Sequence, residues 1–397
     1  MKIAIVVHGR FHAFDLGLAL RRRGHSVTIF TNYPAWAAAR FRVPHKVVRS
    51  LWLHGILQRL VDWIPGLAQA GWMESFTHRW FGRWAARQVA RERWDIVHCW
   101  SGVSEELLLA LRGTGTETWL MRGSAHIRVQ AALLEEEERR VAVPIGKPSA
   151  WMIAREEREY RLASSIRLAS SFALRSFLEQ GVESTRLRLL PLGADVEIFT
   201  ASHAEIEARR LRILSGAPLH VLYVGAILYR KGMRDWQTLT QQLDPTRFEF
   251  RMVGGLSREC RGLVREMDKR VQRLGHVQQS RLPATYAWGD VFVFPTIEDG
   301  FAVVLSQAHA CGLPILATTN CAGPELIHEG ETGWVLPIRS PDRFAERLAW
   351  CDAHREELAE MVSKTQRVSR PRNWDDVASD FELLREGGVK PTEVRTQ

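Results

Sequence analysis

Short, almost unbroken apolar runs recur along the chain, separated by longer stretches of helical spacing. Lys2 to Val7 is the first run, Phe14 to Arg23 has its apolar positions at helical spacing, and Gly24 stands where a glycine closes a helix. Val27 to Phe30 is a second run, so the chain opens as a βαβ unit. A third strand is expected at Trp94 to His98, then a helix from Ser104 and a strand at Thr118 to Met121. The second half restarts the scheme at His220 to Val224, Phe248 to Val253, Val291 to Phe294 and Pro314 to Ala317. Strands apolar on both faces, alternating with helices, belong to parallel sheets covered on both sides. Two Rossmann-like α/β domains follow. Near the end, Asn373 is a capping residue for an amphipathic helix through Leu384, and the last ten residues look frayed.

Length agrees, because 397 residues exceed one ordinary core. The apolar segment at the start is too short for a signal peptide, and no run approaches the ~18 residues of a membrane span. A cytoplasmic location is expected. The five cysteines are scattered and form no C-x-x-C pair, which excludes a disulfide frame or a zinc site.

Charge changes the picture more. Residues 1–190 hold 28 Lys and Arg against 17 Asp and Glu, so the whole basic excess lies in the first half. Such a field attracts anionic surfaces. Trp52, Trp63, Trp72, Trp80, Trp84 and Trp94 interleave there with Arg59, Arg79, Arg83, Arg87, Arg91 and Arg93. Trp80 and Trp84, with Arg79, Arg83 and Arg87, are at i,i+4 spacing, and a basic aromatic helix of this kind reads as an anchor on anionic lipid. No nucleic-acid-binding module is recognisable.

Two segments carry candidate chemistry. After Val291 to Pro295, the chain breaks at Glu298-Asp299-Gly300-Phe301-Ala302 and enters an Ala-rich helix ending at Cys311-Gly312. A buried strand opening into a helix places backbone N–H groups at the carboxyl end of a sheet, where phosphates bind. The second segment runs from Tyr223 through Gly225, Arg230 and Lys231 to Gly232, a strand, a loop and a helix entrance with two fixed cations. The loop after the first strand, Val7 to Asp15, lacks G-x-G-x-x-G, which argues against a dinucleotide in the first domain.

The strand, Pro295, the Asp299-Gly300-Phe301 loop and a helix ending Ala310-Cys311-Gly312-Leu313-Pro314 resemble the donor-binding segment of retaining GT-B glycosyltransferases of the family 4 type, the group 1 glycosyltransferases. That resemblance implies two Rossmann-like domains facing across a cleft, residues 1–194 on the acceptor side and 195–372 on the nucleotide-sugar side. Arg188 to Asp195 with Phe199 is similar to the family's interdomain segment, and the helix at about 373–387 would cross back to the first domain. It implies transfer of a hexose from a nucleotide-diphosphate sugar, without a metal or other cofactor, to a glycan or lipid-linked acceptor such as a surface polysaccharide. A cytoplasmic enzyme, peripheral on the inner face of an anionic membrane, is the expected setting.

Residue by residue, the two family glutamates eight positions apart correspond to Asp299 and Gln307. Asp299 would face the hexose and its anomeric carbon, and Gln307 the ribose. Charged hydrogen bonds contribute ~1.5–3 kcal/mol against ~0.5–1.5 for neutral ones, so the amide is expected to weaken donor affinity without abolishing it. Lys231 matches the family lysine, and Arg230 would substitute for the arginine whose place Ala226 takes. Gly225, Gly300 and the amides of Phe301 and Ala302 would approach the sugar or phosphate. Gly254 and Val277, in Gly254-Gly255 and Gly275-His276-Val277, fit base-contacting loops. Glu325 in Gly323-Pro324-Glu325 would face the nucleotide or serve as a helix N-terminal carboxylate. In the first domain, Gly9 would approach the donor phosphate, while Arg10 and His12 would meet the acceptor. The catalytic histidine would be His126, three residues later than the family position, where Arg122 or Gly123 stands, with His98 as a weaker candidate. Because neither glutamate is kept, a GT-B-shaped nucleotide-sugar-binding or scaffold protein is the alternative.

Overall fold

The structure is a computed structural model and describes residues 1–64, 71–267, 269–368 and 372–387; the tail expected to fray lies outside them. Two parallel sheets carry the fold. The first has the order β3-β2-β1-β4-β5-β6-β7, from β1 (Lys2–Val7), β2 (Ser26–Thr31), β3 (Val48–Ser50), β4 (Ile96–Trp100), β5 (Glu117–Arg122), β6 (Ser165–Leu168) and β7 (Leu187–Leu189). The second has the order β10-β9-β8-β11-β12-β13, from β8 (Leu219–Val224), β9 (Phe248–Val253), β10 (Val271–Arg273), β11 (Val291–Phe294), β12 (Ile315–Thr318) and β13 (Gly333–Leu336). This is the GT-B architecture, two Rossmann-like units in one chain.

The long apolar runs became the central strands because only there are both faces covered. Ile3 to Val7 are fully buried, with β1 paired from Lys2 opposite Ser26 to Val7 opposite Thr31 on one side and to β4 on the other. The periodicity did not foretell β3, β6, β7, β10 or β13. These are strands of three or four residues, and β10 leaves Gln272 and Arg273 exposed at the sheet edge. The helix Ala13–Arg22 lies close on the first sheet because Gly17 faces Ile29, where a Cβ would stand 2.9 Å from its Cδ1.

The C-terminal helix Trp374–Arg385 belongs spatially to the first domain. Asn373 and Asp376 close a capping box at its start, and Val377, Ala378, Phe381 and Leu384 are buried. Phe381 meets the Trp119 ring at 4.4 Å, while Arg22 pairs with Asp375 at 3.0 Å and Arg23 with Glu382 at 2.6 Å. The return passes so near the link between the sheets that a Cβ on Gly193 would stand 2.6 Å from the Asn373 carbonyl carbon.

The domains also meet along their facing edges. Phe301, from the second domain, is buried in the first domain's cluster with Ile3, Phe14 and Met121. The helix Ile127–Val141 of the first domain reaches the other way, with Glu137 bound by Arg339 at 3.0 Å and Arg140 paired with Asp235.

Buried histidines, His98 and His126 among them, make this fold acid-sensitive. Burial pulls His98 down to about 3 and His126 down to about 4, from 6.5 in the unfolded chain. The unfolded chain therefore takes up protons first, and stability present above pH 6.5 is lost as pH falls toward 4, at about 1.4 kcal/mol per pH unit for each histidine. Urea unfolding midpoints measured from pH 7.5 to 4.5 should decline from about 6.5 downward, and His98→Leu should flatten the decline. A pH-independent midpoint over that range would contradict the assignment.

Candidate active site

β8 and β11 are neighbours, but the chain leaving β8 goes to β9 on one side and the chain leaving β11 goes to β12 on the other. In an open parallel sheet such a switch point leaves a crevice at the carboxyl ends of the strands, where ligands bind. Both segments with candidate chemistry end there. They touch through Gly232, whose φ of +76° is favourable for glycine and where a Cβ would lie 1.7 Å from the Pro295 oxygen. The Arg230 carbonyl accepts from the amides of Ile297 at 2.9 Å and Glu298 at 3.3 Å, and from the Thr296 hydroxyl at 3.2 Å.

Lys231 is buried, and its ammonium donates to Asp299 Oδ2 and, at 3.5 Å, to the Glu298 carbonyl. Asp299 Oδ1 accepts the amides of Phe301 at 3.2 Å and Ala302 at 3.0 Å. Burial alone would raise the Asp299 pKa, but Lys231, Arg230 and these hydrogen bonds outweigh it and hold the carboxyl below its ordinary value. Asp299 thus stays ionised. The amides of Phe301 and Ala302, expected to meet the donor, are occupied by Asp299. The helix Val303–Ala310 starts at the next residue, after Ala302 has adopted the left-handed region at φ 66° and ψ 75°. For a non-glycine residue that costs roughly 1–2 kcal/mol, a strain located at the mouth of the crevice.

Gln307 lies on this helix, buried, and its Oε1 accepts the hydroxyl of the fully buried Tyr286 at 2.9 Å. An amide satisfies that phenol without a buried charge, which gives a physical reason for glutamine at this position. Gly225 and Gly254 pack on each other, since a Cβ on Gly254 would lie 1.8 Å from the Gly225 oxygen, and Val277 packs on the second domain's core. Glu325 accepts the Ser171 amide and so stands at the start of a first-domain helix, Ser171–Glu179. It is a helix N-terminal carboxylate across the domain boundary.

The first-domain expectations need correction. His126 does not face the crevice. It caps the helix Ile127–Val141, its Nδ1 accepting the Arg128 amide at 3.3 Å, and its ring sits 5.0 Å from Tyr160 and 4.9 Å from Phe177. His98 is a core residue between Trp100 and Phe381. The Gly9 amide is spent on Asn32 Oδ1 at 2.6 Å, and Arg10 lies over the Phe41 ring at 4.0 Å. His12 stacks on Trp374 and feels the charge of Asp299, which opposes the lowering by burial that brings it to about 4.

Ala125 and Gln130, which reach the second domain, and their partner Glu298 were given no role from the sequence. Glu298, fully buried, accepts the Ala125 amide and the Gln130 side-chain amide, each at 2.9 Å, and Arg230 at 3.2 Å. Gln130 Oε1 in turn accepts from Arg122 at 2.7 Å. Gly300 lies on Gly123 so closely that a Cβ would stand 2.3 Å from the Gly123 oxygen. The available signal was Arg122-Gly123 standing where the family histidine is expected.

Residues 218–352 match the family Glycosyl transferases group 1. The D-inositol 3-phosphate glycosyltransferase of Xylanimonas cellulosilytica is 24% identical over 93% of this chain and 88% of its own length. The putative colanic acid biosynthesis glycosyltransferase WcaL of Salmonella typhimurium is 26% identical over 51% of this chain and 49% of its own. Among solved structures, the sucrose-phosphate synthase of Thermosynechococcus elongatus has a TM-score of 0.71 at 20% identity, covering 98% of both chains. Anabaena HepE in complex with UDP has a TM-score of 0.68 at 15% identity, covering 98% of this chain and all of its own. The match to the group 1 glycosyltransferases thus lies in the second domain, and the chain as a whole has the GT-B fold.

The Tyr286–Gln307 bond gives a test of the helix's internal support. Gln307→Ala should destabilise by about 1–3 kcal/mol, because it leaves a buried hydroxyl unpaired, and Tyr286→Phe by about 1. The double variant Tyr286→Phe/Gln307→Ala should cost less than the sum of these two singles in urea unfolding. Strict additivity would mean that the pair does not interact.

Proposed function

We propose that this glycosyltransferase moves a hexose, with retention of anomeric configuration, from a nucleotide-diphosphate sugar to a lipid-linked or surface-polysaccharide glycan. The supporting observation is the ion pair of Lys231 and Asp299 beside Arg230 at the switch point of the second sheet. As the glycosidic bond breaks, negative charge grows on the departing diphosphate, and cations already in place stabilise that state more than the ground state. Lys231 is pre-oriented by Asp299, and Arg230 is anchored at its carbonyl while its side chain stays one-third exposed. In this reading the two cations neutralise the leaving group without a metal ion. The WcaL name speaks of colanic acid biosynthesis for that relative, which is in keeping with a polysaccharide acceptor here.

Lys231→Met should lower the rate by about 10²–10³-fold and Arg230→Ala by less, with the melting temperature measured alongside. Release of nucleoside diphosphate from a panel of UDP-, GDP- and ADP-sugars reads the rate and names the donor. Nucleotide binding with no turnover on any donor would favour the scaffold alternative.

We also infer peripheral docking on anionic lipid through a face other than the one the spacing suggested. Trp80 and Trp84 are half-buried, against His54 and Phe76 and against Phe30 and Phe81, and the side chain of Trp63 lies outside the described residues. The exposed apolar side chains are instead Trp52, Leu53, Ile56 and Leu60 on the helix Trp52–Trp63, and Trp72 and Phe76 on Gly71–Val89, with Trp72 64% exposed. Exposed Arg59, Arg79 and Arg83 accompany them. Among the described residues no helix is long and apolar enough to cross a membrane. Burying one such side chain contributes about 1.5–3 kcal/mol, so Trp72→Ser or Leu53→Ser should each weaken flotation with anionic vesicles about tenfold or more. Equal flotation of parent and variants would rule this face out.

A further inference from the structure

The loop after β11 carries two adjacent carboxylates that face different partners. Asp299 turns to Lys231 within its own domain, whereas Glu298 is fully buried and turns to the other domain. Its Oε1 takes the Ala125 amide, and its Oε2 is shared between the Gln130 amide group at 2.9 Å and Arg230 Nη1 at 3.2 Å. Behind Gln130 the polar chain continues through Arg122 to Glu156 at 3.1 Å and on to the Tyr160 hydroxyl at 2.6 Å, all within the first domain. Glu298 is therefore the point where one carboxylate is divided between a first-domain clamp and the second-domain cation nearest the crevice.

Division of that carboxylate has a consequence. With Ala125 and Gln130 engaged, part of the charge on Glu298 is already compensated, and Arg230 is available to another anion. If the domains separate, those two donors leave, and the carboxylate has Arg230 as its remaining side-chain partner. An ion pair then neutralises the cation that an incoming diphosphate would need. Resting on the donor reading above, we propose that Glu298 is a positioning residue that couples closure of the two domains to the availability of Arg230 for the donor diphosphate. By linkage the coupling is reciprocal: an anion that takes Arg230 strengthens the hold of Glu298 on the first domain and so favours closure.

Two variants that remove the same bond should act in opposite directions. Gln130→Leu takes away the first-domain clamp and returns Arg230 to Glu298, so the affinity for the bound nucleoside diphosphate, found by calorimetry with UDP, GDP and ADP, should fall about tenfold. Glu298→Gln takes away the competing charge, so affinity should hold or rise, even as X-ray scattering shows a larger radius of gyration and donor turnover drops. Adding Glu298→Gln to Gln130→Leu should restore the lost affinity. A merely structural role would weaken binding in both single variants and further in the double. That outcome, or an affinity in Gln130→Leu within twofold of the parent, overturns the proposal. Gln130→Met replaces Gln130→Leu in the same comparison if leucine is not tolerated. A parent that binds none of the three nucleoside diphosphates refutes the donor reading, and this coupling with it; a parent that binds while the variants behave alike refutes the coupling alone.

Discussion

Two carboxylates side by side, Glu298 fully buried and Asp299 half-buried, set the terms for the rest of this molecule. Charge at that depth is tolerated only when it is paired and fully hydrogen-bonded. One domain cannot supply all the partners. Asp299 draws in Lys231 and two backbone amides of its own loop, and Glu298 draws in Arg230 from its own domain and Ala125 with Gln130 from the other. The crevice of the second sheet and the contact between the domains are thus held by adjacent residues of one turn. Arg230 and Lys231 at the crevice and the contact with the first domain are thereby held within one short segment of chain.

The strain and the close approaches nearby follow from that arrangement. Gly232 allows the two loops of the second domain to touch, and Gly300 allows the second domain to rest on Gly123 of the first. Ala302 is held at positive φ between the Asp299 cap and the helix Val303–Ala310. Phe301, buried in the first domain's cluster with Ala322, adds apolar area to this contact. Rigid elements stand behind each of these residues, as a preorganised site requires: β11 and its helix on one side, and the β5 end with the helix Ile127–Val141 on the other.

Legibility from sequence varied with how local the cause was. The buried central strands were readable, because both-sided burial leaves an unbroken apolar run, and so was the capped C-terminal helix. The edge strands were not, since three residues with one covered face look like loop. Lys231, Arg230 and Asp299 were legible as a cluster, because strand–loop–helix segments of a parallel sheet deliver their loops to one edge. His126 misled because a histidine after a strand fits catalysis and helix capping equally well until its neighbours Tyr160 and Phe177 are known. The tryptophans misled in the same way. Helical spacing placed Trp80 and Trp84 on one face, and only the packing of His54, Phe30 and Phe81 against them showed that face to be half covered.

The amino-acid sequence by itself determined the alternation of strands and helices, the two α/β units, and the placement of two cations and an acidic turn at the carboxyl edge of the second sheet, because those features rest on local periodicity and on turns a few residues long. Tertiary structure alone decided which of two neighbouring carboxylates looks inward to Lys231 and which looks across to Ala125 and Gln130. Those partners lie 68 to 173 residues apart in the chain, and only tertiary packing brings them within hydrogen-bond reach.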